Sequence, residues 1–349
     1  MDSALLLDTP VNAGATQAAP GLRRAAGEDV LVVIPTLNEA AHIEACIRSL
    51  MTGDDRMRAA EIVVADGGSK DRTRAIVEGL RRDFPNLRVL DNPKRLQSAA
   101  VNRAAQEAGA GRAILVRCDA HAIYPAGYVM QVADSLKRRA VASIVVPMDA
   151  QGETCFQKAN AWIVDSPLGS GGSAHRGGRK SMFVDHGHHA GFDLKTFLRI
   201  GGYDETFSHN EDAEFDTRLR AAGGRIFMDA DIRLAYLPRA TIGALAKQYF
   251  NYGKGRARTL MKHGEKPRLR QLIPPATLVA CLAGFALAPL TPWFLILPAG
   301  YLGALVLASL AVALKHKSPC GLLAGLASAT MHMSWSAGLF RQLLKGQRP

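Results

Sequence analysis

The stretch VLVVIPTLNEAAHIEACIRSL, residues 30–50, decides the fold. It opens with a short apolar run rich in β-branched residues, which is typical of a strand buried on both faces. The remainder places Ile43, Ile47 and Leu50 at helical spacing. Asn38 is predicted to cap this helix at its N-terminus. A buried strand followed at once by an amphipathic helix is the basic unit of an α/β fold.

The same alternation continues along the chain to about residue 119. The next predicted strands and helices, in chain order, are 61–66, 69–80, 87–91, 98–109 and 113–119. Strands that alternate with helices at this spacing predict a mostly parallel, Rossmann-like sheet with right-handed crossovers. Beyond residue 140 the alternation loosens, and the glycine-rich segment 166–181 is predicted to be a mobile loop.

Charge is distributed very unevenly along the chain. The part from Lys247 onward holds 13 Lys and Arg residues and a single acid, Glu265, which accounts for the net charge of +12. The preceding 246 residues carry 30 basic and 30 acidic side chains. A body with no basic excess and no aromatic platform argues against a nucleic-acid partner. Cations that flank apolar runs instead mark the cytoplasmic side of a membrane protein.

The apolar runs lie near the C-terminus. Segments 272–290 and 293–314 contain no charged residue and are each long enough to span a bilayer. Segment 320–340 is weakened by a histidine and serines, so it either lies at the membrane interface or makes a third crossing. We expect two full spans, preceded by a basic juxtamembrane segment (247–271) and followed by a tail (341–349), with the catalytic domain in the cytoplasm.

Residues 1–28 lack the cationic start and the long apolar run of a signal peptide, and their composition predicts a disordered tail. The folded domain is therefore expected over residues 29–246. The five cysteines are scattered without a CxxC pair. This usage predicts reduced thiols and no zinc motif.

Polar clusters follow three of the predicted strands, at 35–39, 66–69 and 119–121. The carboxyl ends of parallel strands meet at one sheet edge, where ligands of α/β folds bind. Asp119 and His121 are two residues apart in a segment predicted to be extended, so their side chains should point the same way. Such a pair suits a divalent metal ion but is equally compatible with a solvated turn.

Four motifs carry a resemblance to a known family: VVIPTLNEAAHI, IVVADGGSKDRT, RCDAHAIYP and NEDAEFDTRLRAAG. In this order and spacing, over about residues 30–260, they resemble the inverting family 2 glycosyltransferases with a GT-A fold. The pattern is nearest to the succinoglycan-type subgroup. The resemblance implies a GT-A nucleotide-sugar transferase domain followed by C-terminal transmembrane helices, in the bacterial inner membrane. The implied reaction moves a hexose, glucose, from a UDP-sugar to a polyprenyl-diphosphate-linked saccharide in exopolysaccharide synthesis.

The resemblance also implies a donor site. Asp66 would accept the N3–H of uracil, and Glu39 would lie near the ribose, although Glu39 is also a plausible helix-capping acid. The wall of the pocket would be formed by Pro35, Thr36 and Leu37. Arg256 would close over the diphosphate, or would contact lipid headgroups just before the first span.

In the same resemblance Asp119 and His121 occupy the position of an Asp-x-Asp metal motif. An imidazole is a good Mn²⁺ ligand, so Mn²⁺ or Mg²⁺ is expected, with a bias toward Mn²⁺. The Glu-Asp motif of the family matches Glu211 and Asp212. Asp212 would be the base that deprotonates the acceptor hydroxyl, and Glu211 would help to position the acceptor. Without the other motifs, both could equally be first-turn acids favoured by the helix dipole.

Two other functions are alternatives to this one. A polyprenyl-phosphate sugar synthase would use a lipid phosphate as acceptor and would need no base. A sugar-binding scaffold subunit would be expected to have lost the acidic motifs, and all of them are present. Three histidines, at positions 186, 188 and 189, stay without an assigned role, either on the acceptor side or structural.

Overall fold

The protein is described here from a computed structural model that covers residues 24–173 and 176–346, apart from the side chain of residue 189. Most of the predicted N-terminal tail, residues 1–23, lies outside this part of the chain, and so do residues 347–349. The tail prediction extends a few residues too far. Ala25 is buried, and its N–H donates to Asp134 Oδ1 at 2.7 Å.

The strands follow in chain order: β1 Val30–Thr36, β2 Glu61–Asp66, β3 Leu87–Asp91, β4 Ile114–Arg117, β5 Ser143–Val146, β6 Met148–Ala150, β7 Met182–Val184, β8 His188–Asp193, β9 Ile226–Met228 and β10 Leu234–Tyr236. The helices are α1 Ile43–Leu50, α2 Thr73–Leu80, α3 Gln97–Ala108, α4 Tyr128–Arg139, α5 Cys155–Val164, α6 Pro167–Ser170, α7 Leu194–Arg199, α8 Glu211–Ala221, α9 Ile242–His263, α10 Leu269–Leu287, α11 Ile296–Lys315 and α12 Ala324–Lys345.

Eight of these strands form one sheet, in the order β3-β2-β1-β4-β8-β5-β9-β7. The first four are parallel to one another, whereas β8 runs antiparallel to both of its neighbours. The prediction of a mostly parallel, GT-A type sheet is confirmed. Helices cover both faces: α1, α2 and α4 pack into one apolar cluster, and α3, α7 and α8 pack into the other. This two-sided cover explains why the β1 run is apolar at every position.

The loop after β1 differs from the prediction. Asn38 does not cap a helix; it has a positive φ of 57°, and α1 begins only at Ile43. The Asn38 N–H donates to Ser69 Oγ, and its Oδ1 accepts from the Lys70 N–H, both at 2.8 Å. Asparagine tolerates the left-handed conformation that this geometry requires. The residue therefore joins the loops that follow β1 and β2 and does not start a helix.

The predicted boundary between residues 246 and 247 falls inside a single helix, α9, which runs without a break from Ile242 to His263. Helix α12 packs closely along α9. A Cβ at Gly253 would collide with the Trp335 carbonyl oxygen, and a Cβ at Gly338 would collide with the Phe250 carbonyl oxygen. Only glycine allows the two backbones to approach this closely.

This packing decides the nature of the third apolar segment. Its helix begins later and ends later than the predicted range 320–340, and its residues Ala324, Ala327 and Met331 are buried in a cluster with Leu245 of α9. Within the described residues, α12 is not among the helices that are long and apolar enough to cross a membrane. Its apolar face is buried against the rest of the chain.

Two helical segments do meet that criterion, Leu269–Leu287 and Pro292–Lys315. Each is only 11% buried over its most apolar window, and large side chains such as Phe285 and Leu307 are 61% and 69% exposed. An apolar surface of this size is typical of contact with lipid rather than with water. The predicted spans 272–290 and 293–314 overlap these helices.

The prediction of reduced cysteines is wrong for one pair. Cys155 in α5 and Cys320, just before α12, form a disulfide with an S–S distance of 2.02 Å. They are 165 residues apart in the chain, so their spacing carries no signal of the pairing. The other three cysteines, at 46, 118 and 281, are free thiols.

We predict that Gly253→Ala or Gly338→Ala will destabilise the protein by roughly 1–3 kcal/mol, because the added methyl group forces the backbones of α9 and α12 apart. Thermal unfolding of the purified full chain in detergent measures the effect. Gly300→Ala in α11 is the matched control, since a Cβ there meets nothing within 4 Å. Equal melting temperatures for all three variants would contradict the close packing of α9 and α12.

Candidate active site

The loops that follow β1 and β2 form one wall of the site. Thr36 and Asp66 are neighbours in the parallel register, and the Gly67 N–H donates to the Thr36 carbonyl oxygen at 2.8 Å. Asp66 is buried, and its carboxylate accepts hydrogen bonds from the Ser69 N–H and hydroxyl. The strand ends thus bring a buried carboxylate to the edge of the sheet, as the sequence predicts.

The remaining donor-site candidates border this wall. Pro35 is the one partly exposed residue of β1, and Leu37 is 38% exposed just beyond the strand. The Glu39 N–H donates to Thr73 Oγ1 at 2.8 Å. Its carboxylate is 3.3 Å from His121 Nδ1. Glu39 is therefore tied both to α2 and to the loop that follows β4.

The centre of the site is a buried guanidinium group that the sequence analysis did not single out. The Arg117 side chain at the end of β4 is 7% exposed, and its Nη1 donates to Asp212 Oδ1 at 2.8 Å. Glu211 Oε1 lies 3.7 Å from the same nitrogen, and Asp119 Oδ1 lies 3.8 Å from Nη2. The Tyr203 hydroxyl is 3.2 Å from Nη1. One cation thus gathers three carboxylates from two distant parts of the chain.

The two acids of the Glu-Asp motif begin helix α8. Asn210, directly before them, has a positive φ of 68°, which turns the chain toward the sheet edge. Burial raises the pKa of Glu211 to about 7, and the neighbouring Asp212 charge adds to this effect. Both acids also occupy the first turn, where the helix dipole favours negative charge. The structural and catalytic explanations therefore apply to the same residues.

The metal prediction assumes that Asp119 and His121 lie in one extended segment, and the structure differs from this. The strand ends at Arg117, and a turn follows in which the Ala122 N–H donates to the Asp119 carbonyl oxygen at 3.2 Å. The two candidate ligands are therefore not aligned along one extended segment. The Asp119 carboxylate accepts from Gln97 Nε2 at 3.0 Å, whereas His121 faces Glu39.

Within residues 24–173 and 176–346, no three His, Cys, Asp or Glu side chains gather in a way that could hold a metal ion. Asp119 and His121 nevertheless line the same cavity. One or two protein ligands are what a Mg²⁺- or Mn²⁺-nucleotide needs, because diphosphate oxygens and water complete the coordination. The donor set fits an ion that arrives with the nucleotide.

The cavity has a volume of about 1640 Å³ and extends from the sheet edge to the apolar helices. Its walls include Arg117, Asp119 and Asp212 together with Ile273 of α10 and Trp335 of α12. A single cavity therefore connects the carboxylates with the two C-terminal helices that border it.

Arg256 also lines this cavity, and it makes no hydrogen bond or ion pair within the described ranges. Burial and the nearby Arg268 and Arg270 lower the pKa of its guanidinium group. An excess of cationic groups at this point favours an anionic ligand.

The structure separates the histidines that the sequence left unassigned. His186 Nδ1 is 2.6 Å from Oδ2 of the buried Asp216. His188 faces the site, where burial lowers its pKa and the carboxylates of Asp119 and Asp212 act in the opposite direction. The side chain of His189 lies outside the described part.

The sequence gives one indication that Arg117 belongs to the site. It is a charged residue at the end of a predicted buried strand.

Comparison with known proteins agrees with this arrangement of a nucleotide-binding sheet edge and an acid cluster. Residues 31–200 match the family described as "Glycosyl transferase family 2". The chain belongs to this family, and it is a glycosyltransferase with a GT-A fold.

One relative matches nearly the whole length of the chain. It is the "Succinoglycan biosynthesis protein ExoA" of Rhizobium meliloti (strain 1021), which is 46% identical over 319 residues, covering 91% of this chain and 96% of the relative. A more distant relative is the "Dolichyl N-acetyl-alpha-D-glucosaminyl phosphate 3-beta-D-2,3-diacetamido-2,3-dideoxy-beta-D-glucuronosyltransferase" of Methanococcus voltae. It is 23% identical over 325 residues, covering 91% of this chain and 98% of the relative.

Among solved structures, the "Mannosyltransferase PcManGT from Pyrobaculum calidifontis in complex with GDP-Man and Mn2+" superposes with a TM-score of 0.57. It covers 94% of this chain and 91% of its own, at 20% identity. At this identity the likeness shows the fold alone.

We predict that Glu211→Gln will stabilise the protein at alkaline pH and will have little effect near pH 4.5. The folded-state pKa of Glu211, about 7, lies above its ordinary value of 4.5. The folded state therefore binds more protons than the unfolded state between these values, and wild-type stability falls as pH rises through this window. Glutamine carries no charge, so its advantage should reach roughly 3 kcal/mol above pH 8.

Melting temperatures measured in EDTA between pH 5 and pH 8.5 test this prediction. Glu28→Gln, at an exposed position, is the control and should show a flat difference. A constant difference for Glu211→Gln across the same range would disprove the raised pKa.

Proposed function

We propose that this chain is a metal-dependent inverting hexosyltransferase that moves glucose from a UDP-sugar to a lipid-linked saccharide during exopolysaccharide synthesis. The observation that carries the proposal is the ion pair between Arg117 and Asp212, which holds a carboxylate beside the strand ends in a cavity bordered by apolar helices. The 46% identity to a succinoglycan biosynthesis protein supports the pathway class. The catalytic acids argue against a scaffold subunit.

The proposed donor site consists of the loops after β1 and β2. Asp66 accepts the N3–H of uracil, and Glu39 lies near the ribose. The pocket wall is formed by Pro35, Thr36 and Leu37. Arg256 neutralises the donor diphosphate, and its position in the cavity wall without an ion pair in the described residues supports this role. Uridine specificity follows from the acceptor character of the Asp66 carboxylate, which requires an N–H donor on the base.

In the proposed reaction Asp212 acts as general base. The acceptor hydroxyl oxygen attacks the anomeric carbon, its proton passes to Asp212, and the bond from that carbon to the diphosphate oxygen breaks with its electron pair on the diphosphate. Attack opposite the leaving group inverts the configuration. Arg117 orients the base, and Glu211 helps to position the acceptor. Asp119 and His121 would hold a bound Mn²⁺ or Mg²⁺, which would supply positive charge beside the departing diphosphate.

The proposed location is the bacterial inner membrane, with α10 and α11 as two spans and the catalytic domain in the cytoplasm. Support comes from the cations that precede α10 and follow α11, which the positive-inside rule places on the cytoplasmic side. The close packing of α12 on α9 supports two spans rather than three.

We predict that Asp212→Asn will reduce glucosyl transfer by about 10²–10⁴-fold, because loss of a positioned base removes that much catalysis. Binding of UDP should change little, since the base contacts the acceptor. Transfer to a polyprenyl-diphosphate saccharide and UDP affinity are measured separately for purified protein. A polyprenyl-phosphate sugar synthase would retain full activity in this variant, because a lipid phosphate needs no deprotonation; retained transfer to polyprenyl phosphate would replace the present proposal.

We predict that transfer will stop in EDTA and will recover with Mn²⁺ or Mg²⁺. His121→Asp should shift the preference toward Mg²⁺, because a second carboxylate is a harder ligand than an imidazole. Electron paramagnetic resonance of Mn²⁺ should show UDP-dependent binding that Asp119→Ala removes. An Asp119→Ala enzyme that is fully active without metal would refute this assignment.

A further inference from the structure

Arg176 is a partly buried cation that the proposed reaction does not use. Its guanidinium carbon lies 4.6 Å from the centroid of the Tyr236 ring. Its Nη1 is buried without a hydrogen-bond partner, and the side chain makes no ion pair in the part of the chain that the structure describes. Burying a cation without a paired anion is costly. The arrangement therefore favours an anion supplied from outside the chain.

Two other arginines of this fold form ion pairs with carboxylates of the chain. Arg218 pairs with Glu214, and Arg233 pairs with Asp149. The carboxylate within electrostatic reach of Arg176 is Asp165, whose Oδ2 accepts the Ala150 N–H at 3.1 Å. It does not form an ion pair with Arg176, so the guanidinium group is left to face the cavity.

The position of Arg176 relative to the sheet separates it from the donor site. Asp66 and Thr36 lie at the ends of β2 and β1, on one side of β4. Arg176 forms an isolated bridge with Met148, directly after β5, which lies on the other side of β4 beyond β8. The donor and this cation therefore occupy opposite halves of the same sheet edge.

The residues around Arg176 connect the acid cluster to the C-terminal helices. His188 is within electrostatic reach of Asp119, Asp212 and Arg176. On the other side, Tyr249 is within reach of Arg176 and packs against the cluster that contains Met331 of α12. The cavity thus presents carboxylates, then a cation flanked by tyrosines, then an apolar wall. A saccharide linked through phosphate to a lipid presents its groups in the same order.

We propose that Arg176 binds the phosphate groups of the lipid-linked acceptor, which places the acceptor sugar toward Asp212 and the lipid chain against α10 and α12. This inference rests on the proposed function. A guanidinium group donates two parallel hydrogen bonds to phosphate oxygens, and such charge-assisted pairs are strong in a partly dehydrated site. Ion pairing with phosphate would supply a direct anionic partner, which the nearby Asp165 does not provide.

The test measures binding of farnesyl diphosphate, a diphosphate on an apolar chain without a sugar, to the purified full chain in detergent, with UDP as a second ligand. Arg176→Gln should lose about tenfold or more in affinity for farnesyl diphosphate, with UDP affinity unchanged. Arg176→Lys keeps the positive charge but cannot donate two parallel hydrogen bonds, so it should lose less affinity for farnesyl diphosphate. Arg268→Gln is the control, since this arginine is half exposed and paired with Asp185 at 2.6 Å, and it should bind both ligands normally.

Several outcomes would overturn the inference. Unchanged farnesyl diphosphate affinity in Arg176→Gln would leave Arg176 without a ligand role, and an equal loss for UDP would assign it to the donor. Displacement of farnesyl diphosphate by phosphatidylglycerol vesicles at matched phosphate concentration would indicate a general headgroup site. The melting temperature of Arg176→Gln without ligand should not fall, because a buried unpaired charge is removed; a clear fall would indicate a structural role.

Failure of the proposed function has a different signature. In that case the wild-type chain would transfer no sugar from any UDP-sugar and Asp212→Asn would change nothing, whatever the farnesyl diphosphate result. Binding that depends on Arg176 would then stand as a lipid-phosphate site in a protein of another activity.

Discussion

The buried guanidinium of Arg117 is the constraint on which the arrangement of the site depends. A cation at 7% exposure requires anions, and Glu211 and Asp212 are in turn acids at the sheet edge that require a cation. Removing this guanidinium group leaves the neighbouring carboxylates without their cation, which is far more costly than losing a surface pair. The interaction therefore ties the start of α8 to the end of β4, 95 residues earlier in the chain. The geometry of the acid cluster and the folding of the chain are therefore coupled through one side chain.

The parallel and antiparallel parts of the sheet contribute different chemical groups to the site. The parallel half, β2, β1 and β4, presents backbone turns and the Asp66 carboxylate, which suit a nucleotide. The antiparallel strand β8 brings His188 beside the acids, and the chain beyond β5 adds Arg176. Since α12 packs backbone-to-backbone on α9 through glycines, the apolar helices are fixed relative to the sheet edge.

Much of the fold could be predicted from residue order alone. Continuous apolar runs place β1 and β2 almost to the residue, because these strands are buried on both faces. The edge strand β3 includes Arg88 and is only partly buried, and it is located by the alternation of strands and helices. Apolar length alone predicts α10 and α11. The polar clusters at the strand ends follow from the geometry of parallel sheets, in which carboxyl ends meet at one edge.

The remaining features depend on contacts between distant residues, and local patterns carry no information about them. The Asn38 conformation results from its bonds to the next loop, and the early end of β4 places Asp119 and His121 in a turn rather than in a strand. The pairing of Cys155 with Cys320 joins segments that only the packed chain brings together. The ion pairs of Arg117 likewise exist only once α8 lies against the sheet. Periodicity reports which face of an element is buried, whereas the partner on that face is chosen when the elements pack.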